Sequence, residues 1–136
     1  MATDTPSRSS LPELHELEFA IMEQVWQLGR ASVHEVHDKL NASDAKQRAY
    51  TTVLSVMRRL HQKGFLARER TDRVDYYTPV VSRTRYAHDR TQMIVDSLVD
   101  QYGDVALAHF ARKVESLSLG QLAKLRELAA EEQHSG

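Results

Sequence analysis

The chain has 136 residues, 41% of them hydrophobic, a net charge of −1 and no cysteine. This length suits one domain, or one small domain with an appendage, and the absence of cysteine excludes disulfides, thiolate metal sites and thiol redox sensing. No apolar run approaches the roughly 20 residues of a membrane-spanning helix, and the first residues lack the apolar stretch of a signal peptide. We therefore expect a cytoplasmic protein.

The chain begins with a polar segment, Met1–Pro12, that is rich in Ser, Thr and Pro. This composition is typical of a disordered tail, and we predict one over residues 1–12. Apolar residues then recur at helical spacing from Leu14 to Leu28, on a face broad enough for a well-buried first helix. Gly29 is predicted to end that helix.

A capping-box pattern marks the second helix. Ser32 and Glu35 are three residues apart, so each side chain can accept the backbone N–H of the other. We predict a short helix from this point through Leu40. The polar residues Asn41–Gln47 then predict a loop.

The third helix is predicted to begin near Tyr50 and to end at Gly64. Its apolar residues share one face, namely Val53, Val56, Met57 and Leu60. The opposite face is polar and contains Thr51, Ser55, Arg58 and Gln62. The flanks contain Thr52, Arg59 and Lys63 on one side, and Leu54 and His61 on the other.

After Gly64 the hydrophobic period changes from helical to alternating. Phe65–Arg70 and Val74–Thr78 read as two short strands around a loop of Thr71–Arg73, which predicts a β-hairpin. Tyr76 and Tyr77 should point to opposite faces, one of them to the core.

From Ser82 onward the pattern is helical again. We predict helices from Ser82 to Tyr102, from Val105 to about Val114, and from a second capping box at Ser118 to about residue 132. Their apolar stripes have no globular partner nearby, so we expect them to pack against a second copy of the chain. The dimerization candidates are Ile94, Leu98, Tyr102, Phe110, Leu119, Leu122 and Leu125.

Three helices followed by a hairpin is the order of a winged helix-turn-helix. We therefore predict a mostly α-helical fold with a small β-hairpin: a winged helix over residues 13–81 and a helical dimerization arm over residues 82–133. Positive charge concentrates in this predicted wing and third helix, because residues 46–90 contain 11 basic and 4 acidic residues. Residues 1–45 and 91–136 have balances of −5 and −3.

This charge distribution predicts a face that binds double-stranded DNA, although charge runs can also be solvated surface. A helix fits the major groove, where hydroxyls, a nonpolar side chain and an arginine can read base edges. The base-edge candidates are Tyr50, Thr51, Thr52, Leu54, Ser55 and Arg58. The phosphate candidates are Arg59, Lys63, Arg68, Arg70 and Arg73.

Several segments also match a known family. They are LHELEFAIMEQVW (Leu14–Trp26), ASVHEV (Ala31–Val36), AYTTVLSVMRRL (Ala49–Leu60), KGFLARER, YYTPVVSR and ALAHFARKVESLSLGQLAKLREL. With these segments the chain resembles the penicillinase repressor (BlaI/MecI) family over nearly its whole length past residue 13. The resemblance implies a homodimeric repressor that binds a dyad operator with TACA/TGTA-like half-sites. The matching recognition helix is Tyr50–Lys63.

The resemblance also implies how repression ends. Family members are released when a membrane sensor-protease triggers a cut in the dimerization arm, at an Asn-Phe pair. The corresponding pair here is His109-Phe110, so the Phe is kept and the Asn is replaced. Cleavage near His109-Phe110 is one interpretation, and another release mechanism is the alternative.

Other functions leave weaker patterns. There are seven histidines, and His34 and His37 share a helix face, but two ligands do not make a metal site. No phosphate-binding glycine loop, G-x-S-x-G or H-E-x-x-H motif occurs, so we predict no enzyme, no cofactor and no metal. Two alternatives stay open: a winged-helix regulator released by a small ligand or metal, and a winged helix that docks an acidic protein.

Overall fold

The computed structural model describes residues 11–43 and 46–135, with side chains described as far as Glu131. These residues form six helices and three strands: α1 (Glu16–Leu28), β1 (Ala31–Ser32), α2 (Val33–Ser43), α3 (Tyr50–Gln62), β2 (Leu66–Thr71), β3 (Val74–Pro79), α4 (Arg83–Tyr102), α5 (Asp104–Glu115) and α6 (Leu119–Ser135). None of the helices in this described part is long and apolar enough to cross a membrane. The predicted disordered tail lies outside the described residues, apart from Leu11 and Pro12.

The first three helices and the hairpin form the predicted winged helix. The sheet has a third strand that the sequence pattern did not predict: its order is β1-β3-β2, and all neighbours are antiparallel. Ala31 faces Tyr77 and Ser32 faces Tyr76 across β1 and β3. A strand of two residues is too short to show an alternating pattern, and Ser32 also caps α2.

The core of the winged helix lies where α1, α2, α3 and the sheet meet. Its fully buried hydrophobic residues come from all of these elements: Ile21, Met22 and Val25 of α1, Val36 of α2, Val53, Met57 and Leu60 of α3, and Tyr77 of β3. Trp26 packs at the edge of this core and donates its indole N–H to the carbonyl of Val81 at 2.8 Å. Burial of one α3 face leaves the opposite face at the surface.

The start of α2 agrees with the prediction, and its end does not. The Ser32 N–H donates to the Glu35 carboxylate at 2.8 Å and the Glu35 N–H donates to the Ser32 hydroxyl at 3.2 Å. The helix continues through Ser43, so the predicted loop begins too early. The reason is that Asn41 bonds both backbone groups of Arg48, accepting its N–H at 2.9 Å and donating to its carbonyl at 3.0 Å. Asn41 and Arg48 lie on opposite sides of the loop that follows α2, so no helical or alternating sequence pattern predicts their contact.

The first turns of α4 pack on the winged helix through two buried side chains. The Tyr86 hydroxyl accepts the N–H of Leu14, and the Asp89 carboxylate accepts the N–H of Leu11, both at 2.9 Å. Tyr86 and Asp89 are each 6% exposed. The start of α4 therefore belongs to the winged-helix core.

The chain divides into two compact units inside α4, between Thr91 and Gln92, and not at the predicted boundary of 81/82. In the second unit, Gly103 follows the last residue of α4 with a φ of 56° and lies in the predicted break between Tyr102 and Val105. The capping box at the start of α6 is also confirmed. The Ser118 N–H donates to Gln121 at 2.9 Å, and the Gln121 N–H donates to the Ser118 hydroxyl at 3.2 Å.

Candidate nucleic-acid interface

The exposed face of α3 is polar along its whole length. The predicted base-edge candidates Thr51, Thr52, Ser55 and Arg58 are exposed, Tyr50 is 36% exposed, and Leu54 is half-buried at the edge of the core. The first turn of α3 contains no acidic residue. The positive end of the helix dipole is therefore not neutralised by α3 itself, which favours an anion nearby.

Two histidines of α2 lie against the start of α3. The His37 Nε2 is 3.0 Å from the carbonyl of Arg48, just before α3 begins. The His34 ring stacks on the Tyr50 ring with 4.5 Å between centroids. The sequence pattern indicated only that His34 and His37 share a helix face, whereas the structure places both rings against the first turn of α3.

The wing ends in a tight two-residue turn. Asp72 and Arg73 have φ values of 51° and 68°, as a type I′ hairpin turn requires. The predicted loop of three residues is wrong because Thr71 pairs with Val74 in the ladder. Arg73 is therefore exposed at the tip of the wing.

Three of the predicted arginines surround one cleft between α3 and the wing. The cleft has a volume of about 370 Å³ and is lined by Ser32, Val33, His34, Tyr50, Leu54, Arg58, Arg70, Arg73, Val74 and Asp75. Arg70 donates to Asp75 on the facing strand at 3.1 Å. Arg68 is exposed on β2 and does not line the cleft. The lining thus has three arginines against one carboxylate.

The wing is tied to the rest of the fold by a residue that sequence reasoning missed. The Arg30 guanidinium carbon lies 3.8 Å from the centroid of the Tyr76 ring, and its Nη2 is 3.8 Å from the Glu69 carboxylate. Arg30 lies between two predicted helices, so no periodic pattern pointed to this contact. Of the two adjacent tyrosines, Tyr77 is buried and Tyr76 faces outward, as predicted.

A buried carboxylate joins α1 to the end of α3. Glu18 is fully buried, and it accepts Arg59 Nε at 2.9 Å and Lys63 Nζ at 2.9 and 3.0 Å. Burial raises the pKa of Glu18, but hydrogen bonds from the His15 N–H, Lys63 and Arg59 outweigh it and lower the pKa to about 2. The carboxylate is therefore ionised near neutral pH.

The bonds to Glu18 leave Arg59 and Lys63, two of the predicted phosphate-binding residues, with different access to DNA. The Arg59 side chain is 51% exposed, whereas the Lys63 side chain is 26% exposed and contacts both Glu18 oxygens. Sequence reasoning did not single out Glu18. The available signal was its helical spacing from Ile21, Met22 and Val25, which places it on the buried face of α1.

Many of the dimerization candidates are exposed in the second unit. Ile94, Leu98, Tyr102, Leu119 and Leu125 are between 37% and 86% exposed, and Phe110 and Leu122 are half-buried. His109 is exposed, with its Nδ1 3.1 Å from Arg112 Nη2. Within residues 11–43 and 46–135 no group of three or more His, Asp or Glu side chains could hold a metal ion.

Comparison with known proteins decides the family. The model of the penicillinase repressor family matches residues 14–131, which include α1 to α5 and most of α6. The chain belongs to the penicillinase repressor family. The match includes the polar face of α3, the wing and the whole of α5, so the predicted resemblance is confirmed.

Individual relatives agree with this assignment. The chain is 31% identical over 115 residues to the transcriptional regulator BlaI of Mycobacterium tuberculosis strains CDC 1551 and H37Rv, covering 78% of this chain and 77% of that protein. Membership of a repressor family confirms the prediction that the chain is not an enzyme.

Two solved structures of BlaI proteins are similar to this chain. One is the Bacillus licheniformis BlaI monomer in complex with the blaP half-operator (TM-score 0.48), and the other is the DNA-binding domain of the repressor BlaI (TM-score 0.49). Each is 25% identical, and each alignment covers 57% of this chain and 92% of the solved one.

Proposed function

We propose that this chain is a transcriptional repressor that binds operator DNA through α3 and the wing. One observation supports the proposal above all others: Arg58 of α3 and Arg70 and Arg73 of the wing surround one cleft beside the exposed hydroxyls of α3. A helix that enters the major groove and a basic hairpin beside it suit adjacent stretches of one duplex. Membership of the penicillinase repressor family supports the same function.

The proposal divides the interface into base-reading and phosphate-binding residues. Base edges are read by Tyr50, Thr51, Thr52, Leu54, Ser55 and Arg58, which lie on or beside the exposed face of α3. Phosphates are bound by Arg59, Arg68, Arg70 and Arg73. Lys63 is left out of this second set because its ammonium contacts both oxygens of a buried carboxylate.

The proposed repressor is a homodimer on a dyad operator. Its contact surface is the exposed apolar surface of the second unit, with Ile94, Leu98, Tyr102, Phe110, Leu119, Leu122 and Leu125. A surface with this many exposed apolar side chains favours association with the same surface of a second copy. The two α3 helices of the dimer would then lie roughly 34–36 Å apart, or a multiple of that distance.

Release of the operator is proposed to follow a signal that acts on the second unit. One form is proteolysis near His109-Phe110, initiated by a membrane sensor-protease, and it requires access to α5, where His109 is exposed. The other is binding of a small ligand or metal ion. Mass spectrometry of the protein before and after induction separates these two forms, because only the first produces fragments that end near residue 109.

The proposed function is tested by fluorescence anisotropy of the full chain on a labelled fragment upstream of its own gene. A scrambled duplex serves as competitor, at two salt concentrations. We expect sequence-selective binding that weakens steeply with salt, and Arg73→Ala should weaken it. Arg126→Ala, an arginine of α6 remote in sequence from the cleft, is the matched control. Equal binding to both duplexes contradicts the proposal and favours a DNA-binding protein without sequence preference, whereas no binding at low salt contradicts it and favours a protein-docking winged helix.

A further inference from the structure

The buried Glu18 of α1 contacts two cations at the C-terminal end of α3, Arg59 and Lys63, that were expected to meet DNA. We infer that Glu18 is a positioning residue for operator binding: it orients Arg59 through Nε, so that the two Nη groups meet a DNA phosphate, and it withdraws Lys63 from the DNA. This inference rests on the proposed function and adds to it a residue that makes no DNA contact of its own. It assigns the two cations opposite functions.

The hydrogen bonds of Glu18 saturate its carboxylate. Oε1 accepts the N–H of His15 at 2.9 Å and the Lys63 ammonium at 3.0 Å. Oε2 accepts Arg59 Nε at 2.9 Å and the Lys63 ammonium at 2.9 Å. A carboxylate offers about four acceptor positions, and here the His15 N–H fills one, Arg59 fills one and Lys63 fills two. The directions of both cationic side chains are therefore determined by Glu18.

The guanidinium of Arg59 bonds to Glu18 through only one of its three nitrogens. Only its Nε bonds to Glu18, no bond joins its Nη groups to the described residues, and its side chain is 51% exposed. Because guanidinium is planar, a bond at Nε also orients the two Nη groups. Arg59 lies one turn beyond Ser55 on the flank of the exposed face. A backbone phosphate can accept both Nη groups there as a bidentate pair.

Lys63 has the opposite geometry. Its single ammonium contacts both oxygens of Glu18, and its side chain is 26% exposed. Moving that ammonium to a phosphate would leave a fully buried carboxylate with one cation fewer, which is costly. Lys63 therefore neutralises Glu18 and stays with it when DNA binds.

The inference predicts that removing the negative charge of Glu18 weakens DNA binding, whereas electrostatics alone would predict tighter binding. If Glu18 acted only as a charge near DNA, its removal would tighten binding and steepen the salt dependence, because the protein becomes more positive. If Glu18 positions Arg59, its removal weakens binding although the charge becomes more favourable. The sign of the change therefore separates the two roles.

The test introduces Glu18→Gln in full chains that also carry Lys63→Gln, because a Lys63 released from Glu18 could otherwise add a phosphate contact that masks the loss of Arg59. Glutamine keeps the shape but has one acceptor oxygen, and its amide donors face cationic donors, so the Arg59 bond is disturbed. We expect operator affinity to fall roughly 10-fold per subunit, as for loss of one charge-assisted contact in each. The slope of log K against log salt should become shallower by about 0.9 per subunit.

Arg59→Gln and the double variant complete a cycle. Arg59→Gln alone should lose the same affinity and slope, and adding Glu18→Gln should cause no further loss of slope, because the effect acts through Arg59. Glu23→Gln is the matched control, since it removes the same charge from α1 but its partner is Arg83, not α3. Circular dichroism confirms that each variant is folded at the assay temperature.

Two results for Glu18→Gln would overturn the inference. The first is tighter binding with a steeper salt slope. The second is a lower melting temperature with unchanged affinity and slope, which would make the role of Glu18 purely structural. If Glu18→Gln does not fold, Arg59→Lys decides: an unchanged slope shows that only the charge matters, and a shallower slope supports positioning. Failure of the wild-type chain to prefer its operator would instead overturn the proposed function.

Discussion

The guanidinium of Arg30 stacks on the ring of Tyr76, with its carbon 3.8 Å from the ring centroid. Arg30 directly precedes β1, and Tyr76 lies on β3 opposite Ser32 of that strand. Glu69, the partner of Tyr76 across β2 and β3, approaches the same guanidinium at 3.8 Å. The stack therefore joins the connection between α1 and α2 to the base of the wing, where it restrains the hairpin.

We expect the Arg30–Tyr76 stack to stabilise the fold by an amount that a double-mutant cycle can measure. Arg30→Ala and Tyr76→Leu should be coupled by about 0.5–1 kcal/mol, the usual value for a cation on an aromatic ring at an exposed site. Urea unfolding of the four proteins gives the coupling. Arg126→Ala combined with Tyr76→Leu is the control and should show none. A coupling near zero for the first pair would mean that the stack adds nothing to stability.

The turn of the wing predicts opposed effects on stability and binding. Arg73 has a φ of 68°, a left-handed conformation that costs roughly 1–2 kcal/mol for a side chain other than glycine. Arg73→Gly should therefore raise the free energy of unfolding and also weaken operator binding, because the tip loses its charge. Thermal unfolding and anisotropy check the two effects. Arg73→Lys should keep most of the binding and gain no stability, and a destabilised Arg73→Gly would contradict the argument.

The third helix was predictable because all of its signals are local. Four apolar residues on one face, a polar start near Tyr50 and Gly64 at the end determine its position, and the structure has it over Tyr50–Gln62. The clustering of Arg58 with the wing arginines followed from the winged-helix order alone. Local spacing was sufficient for the faces of α3 but not for the turn of the hairpin, whose two-residue form depends on the pairing of Thr71 with Val74.

The missed contacts of Glu18 and Arg30 depend on partners that are far apart in the sequence. Glu18 meets Arg59 and Lys63 across separations of 41 and 45 residues. Arg30 meets the wing at Tyr76, and β1 forms only because β3 lies beside it. Such contacts depend on how elements pack, and no periodicity records which elements become neighbours. A glutamate at an apolar position of α1 was the one visible sign.

Base reading and phosphate binding should respond differently to mutation. Ser55→Ala should change which operator sequence is preferred, because a hydroxyl on the exposed face of α3 contacts base edges. Arg68→Ala should weaken binding to all sequences about equally and reduce the salt slope by about 0.9 per subunit. Anisotropy with a set of single-base operator variants measures both. A uniform loss for Ser55→Ala would remove this residue from the base-reading set.

Glu18 predicts how stability depends on pH. Its pKa is lowered from 4.5 to about 2, because bonds from the His15 N–H, Lys63 and Arg59 outweigh the opposing effect of burial. As pH falls, the unfolded chain binds this proton first, so the stabilisation is complete above about 4.5 and is lost toward about 2. In that window, wild-type stability should fall more steeply than that of Glu18→Gln, by up to about 1.4 kcal/mol per pH unit.

Urea unfolding of the wild type and Glu18→Gln between about pH 2 and 4.5 measures the two slopes, with Glu16→Gln as the charge control. Equal slopes for the wild type and Glu18→Gln would show that Glu18 titrates alike in the folded and unfolded chains.

Removal of the chain after Tyr102 should separate folding from association. The buried residues that form the winged-helix core lie between Leu14 and Tyr86, so the shortened chain keeps all of them. We expect it to unfold cooperatively near the wild-type melting temperature, to sediment as a monomer and to bind a single half-site weakly, since it lacks α5 and α6.

Leu122→Lys in the full chain is the finer variant, because a charge at a half-buried position of α6 should disfavour pairing of apolar surfaces without removing any helix. Sedimentation velocity over a concentration series measures both proteins. A shortened chain that still dimerises would show that α5 and α6 are not required for pairing, and that the winged helix or the α4 residues Ile94, Leu98 and Tyr102 are sufficient.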